Sequence, residues 1–118
     1  MAYDLKLAAR VRRLLSDREA VAVRSLFGGL TFMVGGRMCC GVNRDELIVR
    51  LHPDDEPAAL ARPHARPMDF TGRRMRGFVT VDAEGLKGAA LRRWVAQALD
   101  YADSRWQSSK SAASGWAR

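Results

Sequence analysis

The chain has 118 residues, of which 47% are hydrophobic and 28% are charged, and its formal net charge is +7. This length predicts one domain with a core large enough to fold without a metal ion or a disulfide. No apolar run approaches the roughly 20 residues that span a membrane, and the N-terminus lacks the charged-then-apolar order of a signal peptide. We therefore expect a cytoplasmic protein without a membrane partner.

The first half of the chain predicts a helix followed by a strand meander. Leu7, Val11 and Leu14 recur at helical spacing, which indicates an amphipathic helix over residues 3–15 with Lys6, Arg10 and Arg13 on its other face. Alternating apolar residues separated by short turns then favour four antiparallel strands. These strands are predicted at residues 21–27, 30–34, 37–42 and 47–51.

Two glycine pairs mark the turns of this meander. Gly35-Gly36 is a two-residue connection, which suits a tight hairpin because glycine reaches positive φ without a steric penalty. Gly28-Gly29 permits a bend or bulge. Neither pair ends in the Gly-Lys-Ser/Thr of a phosphate loop, so both are interpreted as turn chemistry.

The second half predicts a short helix, a strand and a long helix. Acidic residues open the short helix at 54–61, a strand follows at 76–81, and the last helix has an apolar stripe from Leu91 to Ala102. The order is α-β-β-β-β-α-β-α. This predicts an α+β fold with a mostly antiparallel sheet and both terminal helices packed on one of its faces.

The connection between the short helix and the next strand is strongly basic. Residues 62–77 contain five arginines and one aspartate, and their prolines and glycines restrict the backbone. A long, ordered and basic connection predicts a surface for a protein partner or for nucleic acid. The residues assigned to this contact are Arg62, Arg66, Arg73, Arg74 and Arg76. Asp69 is expected to pair with one of them and order the segment.

No group of residues in the sequence predicts catalysis, a cofactor or a metal ion. Cys39 and Cys40 are adjacent in a predicted strand, so their side chains are expected on opposite faces of the sheet. Their spacing suits neither a structural disulfide nor a zinc site. We therefore predict two reduced, metal-free thiols. The serines have no neighbouring His-Asp pattern that would make one a nucleophile.

Two sequence blocks resemble a known family. The first is Leu26-Phe-Gly-Gly-Leu-Thr-Phe-Met-Val-Gly-Gly-Arg-Met-Cys-Cys-Gly-Val42, and the second is Ala65-Arg-Pro-Met-Asp-Phe-Thr-Gly-Arg-Arg-Met-Arg-Gly-Phe-Val-Thr-Val-Asp82. Together they are similar to the N-terminal domain of the TfoX/Sxy family, regulators of bacterial competence. The resemblance spans about residues 3–105. The motif positions are Phe27, Gly28, Gly29, Gly35, Gly36, Met68, Asp69, Phe70 and Gly77, to which we assign structural roles.

The resemblance implies a domain without catalytic residues that works in transcriptional regulation through protein partners. Competence regulators of this family carry a further helical C-terminal domain, whereas this chain is similar to stand-alone N-terminal domains. We expect a domain at residues 1–105 and a flexible tail at 106–118, in which Trp106 and Trp116 have no assigned role. Direct nucleic-acid binding and binding of a small ligand remain as alternatives, and the sequence predicts no oligomeric state.

Overall fold

The computed structural model describes residues 3–18, 21–26, 29–70 and 73–116, which form one six-stranded antiparallel sheet and three α-helices. This architecture confirms the predicted α+β fold with helices at both ends. The elements are α1 (Leu5–Leu14), β1 (Val21–Leu26), β2 (Gly29–Val34), β3 (Arg37–Asn43), β4 (Glu46–Arg50), α2 (Glu56–Leu60), β5 (Ala65–Phe70), β6 (Arg73–Val81) and α3 (Ala89–Trp116).

The strands follow one another across the sheet in the order β1-β2-β3-β4-β6-β5. The predicted meander of four strands is confirmed. The β2–β3 hairpin turns at Gly35 and Gly36, whose φ angles of 62° and 81° both lie in the left-handed region. Two consecutive positive φ angles are the geometry that matches the twist of a tight hairpin. The predicted glycine turn is therefore confirmed.

The helices cover the sheet through the apolar stripes expected from the sequence. Helix α3 lies against β2, β3 and β4, and α1 packs on α3. Asp4 caps α1, because its Oδ1 accepts hydrogen bonds from the backbone N–H groups of Lys6 and Leu7 at 2.8 and 3.2 Å. The fully buried core joins side chains from both layers, including Val11, Phe32, Leu47, Val79 and Trp94.

The structure adds one strand to the predicted order. The basic segment was predicted as a connection, but its residues 65–70 form β5 and its residues 73–77 belong to β6, which begins earlier than the strand predicted at 76–81. The two strands pair in an edge hairpin. Pro67 lies within β5 and removes one backbone donor, which only an edge strand tolerates. Arg66 and Pro67 are neighbours in the strand and both are exposed. Apolar and polar residues therefore do not alternate along β5. The usual sequence signal of a strand is therefore missing.

The prediction that Cys39 and Cys40 lie on opposite faces is wrong. Both residues are completely buried in the core, and their side chains are joined by a hydrogen bond. The β2–β3 register shifts here: Phe32 pairs with Cys40, whereas Met33 pairs with Met38. Cys39 is thus the extra residue of a β-bulge, which redirects its side chain out of the regular alternation. Both are free thiols.

Helix α3 continues through the segment that the sequence predicts as a tail. Its backbone is helical from Ala89 to Trp116, while the side chains of Trp106 and Trp116 lie outside the described residues. The flexibility of residues 106–118 stays a prediction. Among the described residues, no helix is both long and apolar enough to cross a membrane.

Candidate partner-binding surfaces

The two edges of the sheet, β5 and β1, are the candidate surfaces for a partner. The β5 edge contains the arginines predicted as contacts. Pro67 pairs with Val79 and Asp69 pairs with Arg74, so an advance of two residues along β5 matches five residues along β6. The surplus residues of β6 form a large irregularity around Gly77, beside the half-buried Met68. This edge is therefore neither straight nor regular.

Arg66 is held by two carboxylates from other parts of the chain. Its guanidinium forms ion pairs with Glu46, at the start of β4, and with Asp82, directly after β6. The hydrogen bond that Arg66 donates to Glu46 is the main cause that raises the pKa of Arg66 above its usual value. Only Asp69 is predicted from the sequence as a partner for these arginines, but Arg66 pairs with two carboxylates that lie outside residues 62–77.

Arg62 lies on the surface of the core rather than in an open charged patch. Its guanidinium carbon is 3.5 Å from the centroid of the Trp94 ring, and its Nη1 donates to Oε1 of Gln97 at 3.1 Å. Trp94 is almost fully buried beneath it. Burial and the nearby charge of Arg93 lower the pKa of Arg62. Arg62 therefore fastens the end of α2 to α3 by a cation–π contact.

The remaining predicted contacts share the β5–β6 hairpin. Arg76 is exposed. Arg73 and Arg74 pair through their backbones with Phe70 and Asp69, but the side chains of these four residues lie outside the described part of the structure. The structure thus commits Arg62 and Arg66 to internal contacts and leaves Arg76 available at the surface.

The structural motif residues have defined roles where the structure describes them. A Cβ on Gly29 would lie 2.7 Å from the carbonyl oxygen of Val42, so close strand approach requires glycine there. Gly77 has a φ of 84°, and a Cβ on it would lie 2.8 Å from the carbonyl oxygen of Leu51. Phe27 and Gly28 lie outside the described residues.

Glu56 is a buried carboxylate that sequence reasoning missed as a contact. The sequence predicts it only as a favourable charge at a helix start, yet just 3% of the residue is exposed. Its Oε1 accepts a hydrogen bond from the backbone N–H of Gly77 at 3.4 Å. Glu56 therefore ties α2 to the irregular part of β6. No local sequence pattern reveals this pairing, because the two residues meet only in the folded chain.

The opposite edge of the sheet, β1, is open. Residues 22–25 of β1 are all exposed, and Val23 is one of two large hydrophobic residues with substantial exposure among the residues whose burial the structure describes, at 38%. The β1–β2 register runs without a shift from Val21 to Leu26. An edge strand presents unpaired backbone N–H and C=O groups on its outer side. The sequence predicted this strand but gave no sign that it would be an uncovered edge.

The described residues contain no cluster of three or more His, Cys, Asp or Glu side chains suited to a metal ion. His52 accepts a hydrogen bond from the backbone N–H of Asp54 through Nδ1, and its ring packs edge-on against Tyr101. This histidine therefore caps a single turn of 3₁₀ helix.

The described geometry defines an α+β domain with two sheet edges of contrasting character.

Residues 13–102 match the family model described as the TfoX N-terminal domain. The match covers most of the chain and includes every strand and α2. The chain therefore belongs to the TfoX N-terminal domain family, as the two sequence blocks predict. Neither the curated proteins nor the solved structures contain a match to the chain.

Proposed function

We propose that this domain is a non-enzymatic regulatory module that binds another protein by adding a strand to β1. The observation that supports this proposal is the contrast between the two edges of the sheet. β5 has features that discourage strand pairing, namely Pro67, charged residues and an interrupted register. β1 has six uninterrupted pairs with β2, no proline, and an exposed apolar residue at its centre. Strand addition is an established mode of peptide recognition.

The positive charge of the chain indicates that the partner segment is acidic. β1 carries Arg24, which is exposed and forms no ion pair among the described side chains. The whole chain has a net charge of +7, so a second copy would bring like charges together. An extended acidic segment of a different protein complements this edge better. The protein alone is expected to be monomeric, which light scattering after size-exclusion chromatography measures.

The test compares matched substitutions at two exposed hydrophobic residues, Val23 and Leu5. Val23→Lys places a charge at the centre of the open edge, whereas Leu5→Lys makes the same change on α1, where Leu5 is 55% exposed. A partner captured from native cells and then purified should bind the wild type and Leu5→Lys alike, and should lose affinity for Val23→Lys. Equal binding to all three proteins would overturn the proposal.

Direct nucleic-acid binding is the second candidate, and the observation that favours it is the exposed Arg76 beside Arg73 and Arg74 on β6. It has less support, because Arg62 and Arg66 are engaged by Trp94 and by two carboxylates. A phosphate-binding surface needs several free cationic side chains along one track. An enzymatic function has the least support, since the described residues bring together no acid, base and nucleophile.

A further inference from the structure

An open cavity of about 320 Å³ lies between α1 and the start of α3. Its charged lining consists of Arg10 and Arg13 from α1 and Arg92 from α3. Arg10 and Arg13 are three residues apart, so they share one face of α1. The lining of the cavity includes no residue of β5 or β1, and the family blocks described above do not include it.

The positive charge of this cavity is not neutralised within the described structure. No described carboxylate forms an ion pair with Arg10, Arg13 or Arg92. Arg10 donates from Nη2 to the backbone oxygens of Leu86 at 2.9 Å and Gly88 at 3.4 Å. These bonds fix Arg10 across the gap between the helices but leave its charge unpaired. A cleft lined by one sign of charge concentrates ions of the opposite sign.

The remaining lining defines the ligand further. Leu14 and Leu91 supply apolar walls, and Gly88 and Ala89 bring backbone to the cavity at the start of α3. The first amides of a helix add to the positive potential there. A volume of this size lies at the lower end of small-molecule sites, which are about 300–1,000 Å³. The combination suits a small molecule with one anionic end and one apolar end.

We propose that this cavity binds a small phosphate-bearing organic molecule. Arg13 and Arg92 contact the phosphate, because a guanidinium matches its oxygens with two parallel donors. Arg10 is a positioning residue that holds the two helices at the required separation. The apolar body of the molecule lies against Leu14 and Leu91. This site is separate from the proposed protein-binding edge, so the two proposals stand or fall independently.

Phenyl phosphate is a suitable probe, since it joins a phosphate to a small apolar ring. Titration followed by amide NMR at about 0.15 M salt should shift the signals of Gly88, Ala89 and Leu91. Phenyl phosphate should bind more tightly than inorganic phosphate, because only the former uses the apolar walls. Shifts elsewhere on the chain, or equal weak binding of both probes as adventitious ions, would overturn the proposal.

The chain offers a matched pair of variants. Arg13→Ala with Arg92→Ala removes the proposed phosphate contacts, and affinity for phenyl phosphate should fall by about tenfold or more. Arg12→Ala with Arg93→Ala removes the same charge from the neighbouring exposed positions, outside the cavity, and should bind as the wild type does. Circular dichroism checks that both variants fold.

A conservative variant and a short oligonucleotide serve as further tests. Arg13→Lys with Arg92→Lys keeps the charge but loses the paired donors, so its affinity should lie between those of the wild type and the alanine variant. If both alanine variants lose affinity equally, net charge alone is responsible and the site is wrong. The same conclusion follows if the wild type binds a short oligonucleotide but not phenyl phosphate.

Discussion

Two glycines have nearly the same φ angle but are required for different reasons. Gly36 and Gly77 have φ angles of 81° and 84°. A Cβ on Gly36 would meet nothing within 4 Å, whereas a Cβ on Gly77 would lie 2.8 Å from the backbone oxygen of Leu51. At Gly36 a side chain would be unfavourable only because residues other than glycine disfavour a positive φ. At Gly77 a side chain would also clash with the packed backbone of Leu51.

This difference predicts a ranking of stability. Gly36→Ala and Gly36→Val should each lower the free energy of unfolding by about 1–2 kcal/mol, the cost of a left-handed conformation. Gly77→Ala should lose on the order of 1 kcal/mol more, because β6 must move away from Leu51. Urea denaturation measures all three. Asparagine tolerates positive φ, so Gly36→Asn is the control and should lose least. An unchanged midpoint for Gly36→Val would show that the turn is not under this constraint.

The buried thiol pair predicts a pH effect on stability. The hydrogen bond with Cys39, followed by burial, raises the pKa of Cys40 well above its ordinary value. In the unfolded chain this thiol has its ordinary pKa and is half ionised at about pH 8.5. The stabilisation by Cys40 is therefore complete well below that pH. It is lost as the pH rises towards the pKa of the folded state, because over this range the unfolded state releases its proton more readily.

Comparison with Cys40→Ala isolates this contribution from lysine and tyrosine titration, which both proteins share. The stability difference between wild type and variant, measured by urea denaturation, should be largest at neutral pH and smaller at about pH 10, where an ordinary thiol is ionised. A difference that is identical at both pH values would mean that the thiol ionises as readily in the folded protein as in the unfolded chain.

At the scale of elements, the attachment of α2 depends on Arg62. Arg62→Ala should lower the free energy of unfolding by about 1–2 kcal/mol, because the guanidinium lies over the buried Trp94 ring. Arg76→Ala is the control: Arg76 is exposed, so its loss should change stability by less than about 0.5 kcal/mol. Thermal denaturation compares the two. Similar losses would show that the stacking does not stabilise the docking of α2.

The sequence was informative about elements with a buried face. The stripe of α3 and the alternation of β2, β3 and β4 predicted their positions, because burial on one side imposes a period on apolar residues. β5 escaped prediction, because an exposed edge strand containing Pro67 imposes no such period. The ion pairs of Arg66 and the Glu56–Gly77 contact also escaped. These contacts join segments that are distant in the sequence, and charge composition does not show which residues come into contact in the fold.

At the scale of the whole molecule, the net charge of +7 predicts weak and unselective attraction to nucleic acid. Binding to a fluorescent duplex should be weak at about 0.15 M salt and should decline further as salt rises. Arg73→Glu with Arg74→Glu should reduce it while the protein stays folded. Anisotropy titration measures the binding. Sub-micromolar, sequence-selective binding by the wild type would instead favour the nucleic-acid function over the protein-binding one.

The strand order has a consequence for how the molecule opens. Every pair of neighbouring strands except β4 and β6 is also consecutive in the chain, so most sheet contacts close short loops, which favours rapid folding. β1 is attached to the sheet through β2 alone and its residues 22–25 are exposed, whereas the other edge strand, β5, also contacts α2. Local opening therefore starts at β1, whereas β3 and β4, enclosed by neighbours and covered by α3, separate last. The strand proposed to receive a partner is thus the one that detaches most readily from the fold.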